Sequence, residues 1–238
     1  MNEKDTDVYF SLNEKKLNIC VFKNIDDSVI FFNEENINIK INSITENTDL
    51  EILEKLLEKN IKQIEKKINS FVNNISLMID TTRTVSIYIS LMKKLDNKKI
   101  QQKDVKHLIQ DAKQQIVRAY PEQDIVHIIV KKYVVNDLDY AFVPRDINCN
   151  KISIEIEFIC FPKNLIKKIE LLFSNFQITV DKIICSNYAK SIINDESQKN
   201  ICQIGRKLNN GFNKQEVVLV PKKIEKKGFF EKLFHLFK

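Results

Sequence analysis

Hydrophobic and polar positions alternate in two different rhythms along the chain, and the switches between them outline its elements. "DVYFSLNEKKLNICVFKN" and "SVIFFNEENINIKIN" have the period-two, β-branched character of strands. From Asn47 the rhythm lengthens: Leu53, Leu57, Ile61, Ile64, Ile68 and Phe71 recur at steps of three and four, which predicts an amphipathic helix. "ISLMID" and "TVSIYIS" return to strand. "QQKDVKHLIQDAKQQIVRAY" is helical, with Val105, Leu108, Ile109, Ala112 and Ile116 on one side and Pro121 just beyond its end. "DIVHIIVKKYVVND" predicts a long strand.

"KISIEIEFICF" alternates cleanly. Ile152, Ile154, Ile156 and Phe158 form a dry face, and Ser153, Glu155 and Glu157 a polar one. Pro162 is expected in the first turn of a helix over "KNLIKKIELLFSNF". "ITVDKIICS" is a further strand, followed by a short helix around "NYAKSIIND". After Asn194 the periodicity weakens, and "EVVLVP" is expected to add one strand before Pro221. Strands alternating with helices make the fold α+β, a mixed α/β chain.

Composition narrows the function classes. The 238 residues are 43% hydrophobic and 29% charged, ordinary for a folded chain, with only 3 glycines and 4 prolines. So little glycine argues against a phosphate-cradling loop. The five cysteines (Cys20, Cys149, Cys160, Cys185, Cys202) form no CxxC pair and sit mostly in apolar runs, so buried reduced thiols in a reducing compartment are expected. The start of the chain has no signal-peptide pattern, and no run approaches the ~20 apolar residues that cross a bilayer. His107, His127 and His235 lack metal-ligand spacing, so neither a metal site nor a cofactor is expected. Hydrolase, P-loop and dinucleotide motifs are absent, and no enzyme is expected.

Charge is distributed unevenly. Of the net +6, residues 222–238 carry +4, leaving +2 for the remainder, too little for a nucleic-acid binder. That final stretch, "KKIEKKGFFEKLFHLFK", predicts an amphipathic helix from Gly228. Phe229, Phe230, Leu233, Phe234, Leu236 and Phe237 fall within an arc of roughly 160° on a helix only about 16 Å long. Lys222, Lys223, Lys226 and Lys227 precede it. Such a segment is too short to span a bilayer but can lie in an anionic membrane surface.

Several segments in order resemble the bacterial cell-division protein family FtsA, whose members are actin-like, attach to the inner membrane and carry an inserted strand–helix–strand–strand subdomain. "IQQKDVKHLIQDAKQQI" is similar to the family's inserted helix. "VHIIVKKYVVND" is similar to the strand after it through His127, Tyr133, Val135 and, shifted by one, Asp137. Pro144 is similar to the proline of the next turn. "KISIEIEFICFPKNLIKKIELLFSNFQITVDKIICSNYAKSII" resembles the return into the main domain, and 221–238 the membrane-targeting helix.

The resemblance implies a first part of an actin-like subdomain at 1–78, the insertion at 79–161, a return and remnant at 162–220, and linker plus membrane helix at 221–238. It also implies where the chain departs from the family. The family's aspartate–isoleucine–glycine–threonine phosphate turn is replaced by Ser11, Leu12, Asn13 and Glu14, and the second glycine-rich turn and two further subdomains have no counterpart. The expectation is a nucleotide-free, membrane-tethered scaffold or adaptor in septum assembly, on the cytoplasmic face of the inner membrane at the division site. Its partners would be division proteins or further copies, with Ser153, Glu155 and Glu157 on an available sheet edge as the docking surface. Two alternatives remain open. One is an adaptor like the pilus-assembly protein PilM, which has a related insertion. The other is an ATP-binding actin-like protein with unrecognised phosphate turns.

Overall fold

A computed structural model describes residues 6–39, 47–144, 147–192 and 200–217. Their elements run β1 (Thr6–Leu12), β2 (Lys16–Lys23), β3 (Val29–Asn36), α1 (Asn47–Ile68), β4 (Asn74–Ile79), β5 (Val85–Lys99), α2 (Gln102–Ala119), β6 (Gln123–Val135), β7 (Leu138–Tyr140), β8 (Asn148–Pro162), α3 (Lys163–Ser174), β9 (Thr179–Cys185), α4 (Ser186–Ile192) and α5 (Ile201–Asn209). The mixed α/β class is as the alternating rhythms predict.

Two sheets organise them. The main sheet has the order β3-β2-β1-β4-β9, antiparallel at β1–β2 and β2–β3 and parallel at β1–β4 and β4–β9. The second is antiparallel, in the order β5-β8-β6-β7. Its strands and α2 lie between β4 and α3 in the chain, so the second sheet is an excursion out of the first.

Each sheet has its own core. Phe10, Ile19 and Leu77 of the main sheet meet Leu53, Leu57, Ile61 and Ile64 of α1 and Ile169 and Phe173 of α3; Phe10 and Phe173 pack edge to face at 5.3 Å. In the second sheet, Ile152, Ile154, Ile156 and Phe158 of β8 pack with Val105, Leu108, Ala112 and Ile116 of α2. At about 1.5–3 kcal/mol per large apolar side chain, these stripes hold the three helices in place. A polar clasp adds register to α1: fully buried Asn60 accepts from Asn33 at 2.7 Å and donates to Glu35 at 2.9 Å.

Three expectations about the elements need correcting. Phe71 is 79% exposed rather than part of the α1 stripe. Asn69 takes a left-handed φ of 55° and ends the helix, so Val72 is buried in its stead. Pro162 closes β8 and caps α3 instead of lying inside it. The region after Asn194 holds an unforeseen helix, α5, capped by Asn200, whose side chain accepts from Cys202 N at 2.9 Å. Of "EVVLVP", Glu216 forms an isolated bridge with Ile129, and residues from 218 on lie outside those described.

Candidate functional site

Three places carry polar groups that packing alone does not explain. The first is the turn between β1 and β2. Asn13 folds back on its own backbone, its Oδ1 accepting from Lys15 N at 2.9 Å and Lys16 N at 2.7 Å, while Asn13 N donates to Lys16 O at 3.0 Å. This is an Asx turn closed on itself. A phosphate-binding turn works by leaving such amides pointing outward; here a side chain takes two of them. The shallow hollow beside it, about 350 Å³, is lined by Asn13, Glu14, Lys15, Lys16, Asp80, Thr81 and Thr82. Asp80 pairs with Lys190 at 2.7 Å.

The second place is the seam between the sheets. Buried His127 of β6 accepts Cys185 N–H on Nε2 at 2.9 Å, so its proton lies on Nδ1, which donates to Glu216 at 2.6 Å. Glu216 also accepts from the Tyr188 hydroxyl at 2.9 Å, and Asn213 donates to that same hydroxyl at 2.8 Å. Burial first, and then Glu216, push the Tyr188 phenol well above its ordinary value, so it stays protonated as a donor. Two backbone bonds continue the seam, Val130 N to Gln215 O at 2.9 Å and Val217 N to Ile128 O at 2.8 Å. The sequence offered only a lone histidine in an apolar strand; its partners come from 58 and 89 residues away.

The third place is the open face of the second sheet. Direct cross-strand partners share a face, so Ser153, Glu155 and Glu157 stand in a row beside Met92, Ser90 and Tyr88 of β5. Their strand is not an available edge: β8 lies between β5 and β6 and is paired on both sides. The alternation "KISIEIEF" reports which side chains share a face and is silent about which strand is outermost.

Nor is Glu157 a free carboxylate. It is 8% exposed, accepting from Tyr88 Oη at 2.9 Å and Lys131 Nζ at 2.8 Å. Burial works to raise its pKa, but those two bonds prevail and hold the carboxyl below its usual range. Glu155 pairs with Lys132 at 3.3 Å and is more open. The edge strand beside β8 is β5, with Tyr88 66% and Met92 56% exposed; the short β7 is the other edge. From Val85 to Met92 that edge carries no charge, and Lys93 and Lys94 follow. Where this face meets α4, a concavity of about 500 Å³ is bordered by Tyr88, Lys131, Glu157, Tyr188, Ile192 and Gln215.

All five cysteines are free and buried, as expected. Among the described residues, no group of three or more His, Cys, Asp or Glu side chains is placed to hold a metal ion, and no helix is long and apolar enough to cross a membrane. The expected membrane-binding residues Lys222, Lys223, Lys226, Lys227, Phe229, Phe230, Leu233, Phe234, Leu236 and Phe237 lie outside the described residues.

These features define a mixed α/β protein carrying a strand–helix–strand–strand domain as an insertion. That domain is FtsA-like: the family model for the SHS2 domain inserted in FtsA matches residues 82–160, in line with the resemblance carried by the inserted helix and its flanking strands. Among solved structures, the chain is similar to the cytoplasmic domain of EpsL, an inner membrane component of the type II secretion system of Vibrio cholerae (7% identity, TM-score 0.40, 77% of this chain and 58% of that one). It is also similar to a PilM–PilN type IV pilus biogenesis complex (7%, 0.47, 77% and 48%). A third is a Bacteroides thetaiotaomicron protein of unknown function with an actin-like ATPase fold (10%, 0.33, 79% and 55%). The chain spans about half the length of these structures. No curated protein matches it.

Proposed function

We propose that this protein is a nucleotide-free, FtsA-like scaffold that sits on an anionic membrane surface at the division site and presents its SHS2 domain to a protein partner. The observation that carries the reading is the inserted domain itself, matched over residues 82–160 and displaying an outer strand that is uncharged from Val85 to Met92. An unpaired strand edge is a template for a partner strand, with Tyr88 and Met92 placed to contact its side chains. The closed Asx turn at Asn13 supports the nucleotide-free part, since the amides that would meet a phosphate are already satisfied. Residues 221–238 supply the membrane part through their phenylalanine arc and lysine cluster. One such short helix binds reversibly, and several on an assembly hold firmly through effective concentration.

Two measurements test this. A fluorescent fusion in the native host should gather at the septum, and deleting 82–160 should abolish recruitment while leaving membrane association intact. Phe234→Glu should release the protein from anionic vesicles without lowering its thermal stability. Recruitment that survives the deletion rejects the SHS2 domain as the docking module; a fusion gathered at pilus bases instead places the protein in a PilM-like system.

A further inference from the structure

Cys20 and Cys202 come from nearly opposite ends of the chain and meet in the main core. Cys20 is on β2, paired in register with Tyr9 of β1. Cys202 is in the first turn of α5, and its Sγ lies 4.0 Å from the carbonyl oxygens of both Tyr9 and Asn18. The α5 turn therefore sits over the rung that carries Cys20, bringing the two thiols close enough to shift each other's pKa. Asn200 ties them together. Its Oδ1 accepts Cys202 N–H at 2.9 Å, and its Nδ2 lies 2.9 Å from Cys20 Sγ. Both thiols are fully buried, but Asn200 is half-buried, so the pair lies one side chain beneath the surface.

We propose that Cys20 and Cys202 form a redox-active dithiol that closes to an intramolecular disulfide when a peroxide reaches it. The arrangement assigns different roles to the two sulfurs. The neighbouring Cys202 thiol, and then donation from the Asn200 amide, hold the Cys20 thiol below its ordinary pKa against the opposing effect of burial. Cys202, beside Cys20 and deeply buried, is raised. Cys149, Cys160 and Cys185 are all raised by burial, Cys160 to about 11. The thiolate is the reacting species, so Cys20 attacks first.

Its sulfur displaces hydroxide from hydrogen peroxide: the S–O bond forms, the O–O bond breaks, and the hydroxide leaves as water with the thiol's proton. The sulfenic acid is then attacked by Cys202, forming S–S, breaking S–O and releasing a second water. Two thiols and one peroxide become one disulfide and two waters. The product bolts α5 covalently to β2, closing a loop of most of the chain.

The test uses the full chain, purified reduced, exposed to hydrogen peroxide under native conditions and quenched with an alkylating agent. Peptide mapping should find a Cys20–Cys202 cross-link two hydrogens lighter than the free peptides. A non-reducing gel should show a faster band that dithiothreitol reverses, and Tm should rise by several degrees. Cys149, Cys160 and Cys185 should remain alkylatable once the protein is unfolded. Cys20→Ser should remove the faster band and Cys149→Ser should keep it; mapping of the wild type stands even if the first variant folds poorly. The proposal is overturned if peroxide leaves both thiols free, if other cysteines pair, or if the cross-link forms only in urea.

Discussion

Replacing His127 by leucine removes the centre of the seam while nearly conserving volume. The Cys185 N–H, buried and aimed at Nε2 from 2.9 Å, loses its acceptor, which costs about 1–3 kcal/mol. The 2.6 Å bond to Glu216 is lost as well, about 0.5–1.5 kcal/mol, at the lower end because the Glu216 side chain is 16% exposed and keeps Tyr188. A total near 3 kcal/mol lowers Tm by roughly 6–12 °C for a chain of this size. Hydrogen exchange should quicken at the Cys185 amide and also at Val130 and Val217, whose bonds join segment 213–217 to β6.

His127→Gln separates the two contributions, because its Oε1 can take the place of Nε2 as acceptor. It should recover about half of the loss. If leucine and glutamine variants melt together, or both within a degree of wild type, the seam is not held by the bond to Cys185 and the reasoning fails.

Three further outcomes are expected. Millimolar Mg-ATP should leave Tm unchanged, whereas a site filled to 100 times its dissociation constant would add about 2.7 kcal/mol; a clear shift would refute the reading of the Asn13 turn. Asp104 is held below its ordinary 3.8, first by the Lys93 ammonium and further by the Gln101 N–H, against burial. A carboxyl depressed in the folded state stabilises above its unfolded pKa and loses that contribution as pH falls through the folded one. Asp104→Asn should therefore cost about 1–2 kcal/mol near neutrality, with the gap from wild type closing in melts run toward acid. Gly205→Ala should destabilise by about 1–3 kcal/mol, because an added Cβ would meet Sδ of fully buried Met78 at 2.5 Å; an unchanged denaturation midpoint would show that Met78 moves aside freely.

Much of the fold was legible because burial imposes a period. Leu53 to Ile68 in α1 and Ile152 to Phe158 in β8 appear in the sequence as one-sided stripes and are one-sided stripes in space. α5 was not legible because its buried face includes Gly205 and Arg206, neither of which reads as apolar. Arg206 is turned inward to Asp27 at 2.6 Å and lies over the Phe22 ring at 4.8 Å. Asn200 at the cap and Leu208 two turns on were the available signal. The docking surface was half legible: period two assigned Glu155 and Glu157 to one face, but the outer position of β5 depends on pairings across 69 residues, such as Tyr88 with Glu157. Asn13 and His127 were visible as residues, while their work depends on backbone direction and on distant partners.

β8 runs for fifteen residues, and toward its C-terminal end its two faces serve different cores: Ile152, Ile154, Ile156, Phe158 and Cys160 pack in the core with α2, while Ile159 and Phe161 on the other face pack with the main sheet. It is one continuous strand, and Gln123 to Ile125 of β6 pair with its far end as well. The strand acts as a stiff axle. A partner pulling along the edge of β5 would strain its ladder with β8 in shear, many hydrogen bonds resisting together rather than parting one by one. Tension taken up at the inserted domain would then pass directly into α3, which follows β8 without an intervening loop, and into the sheet behind it.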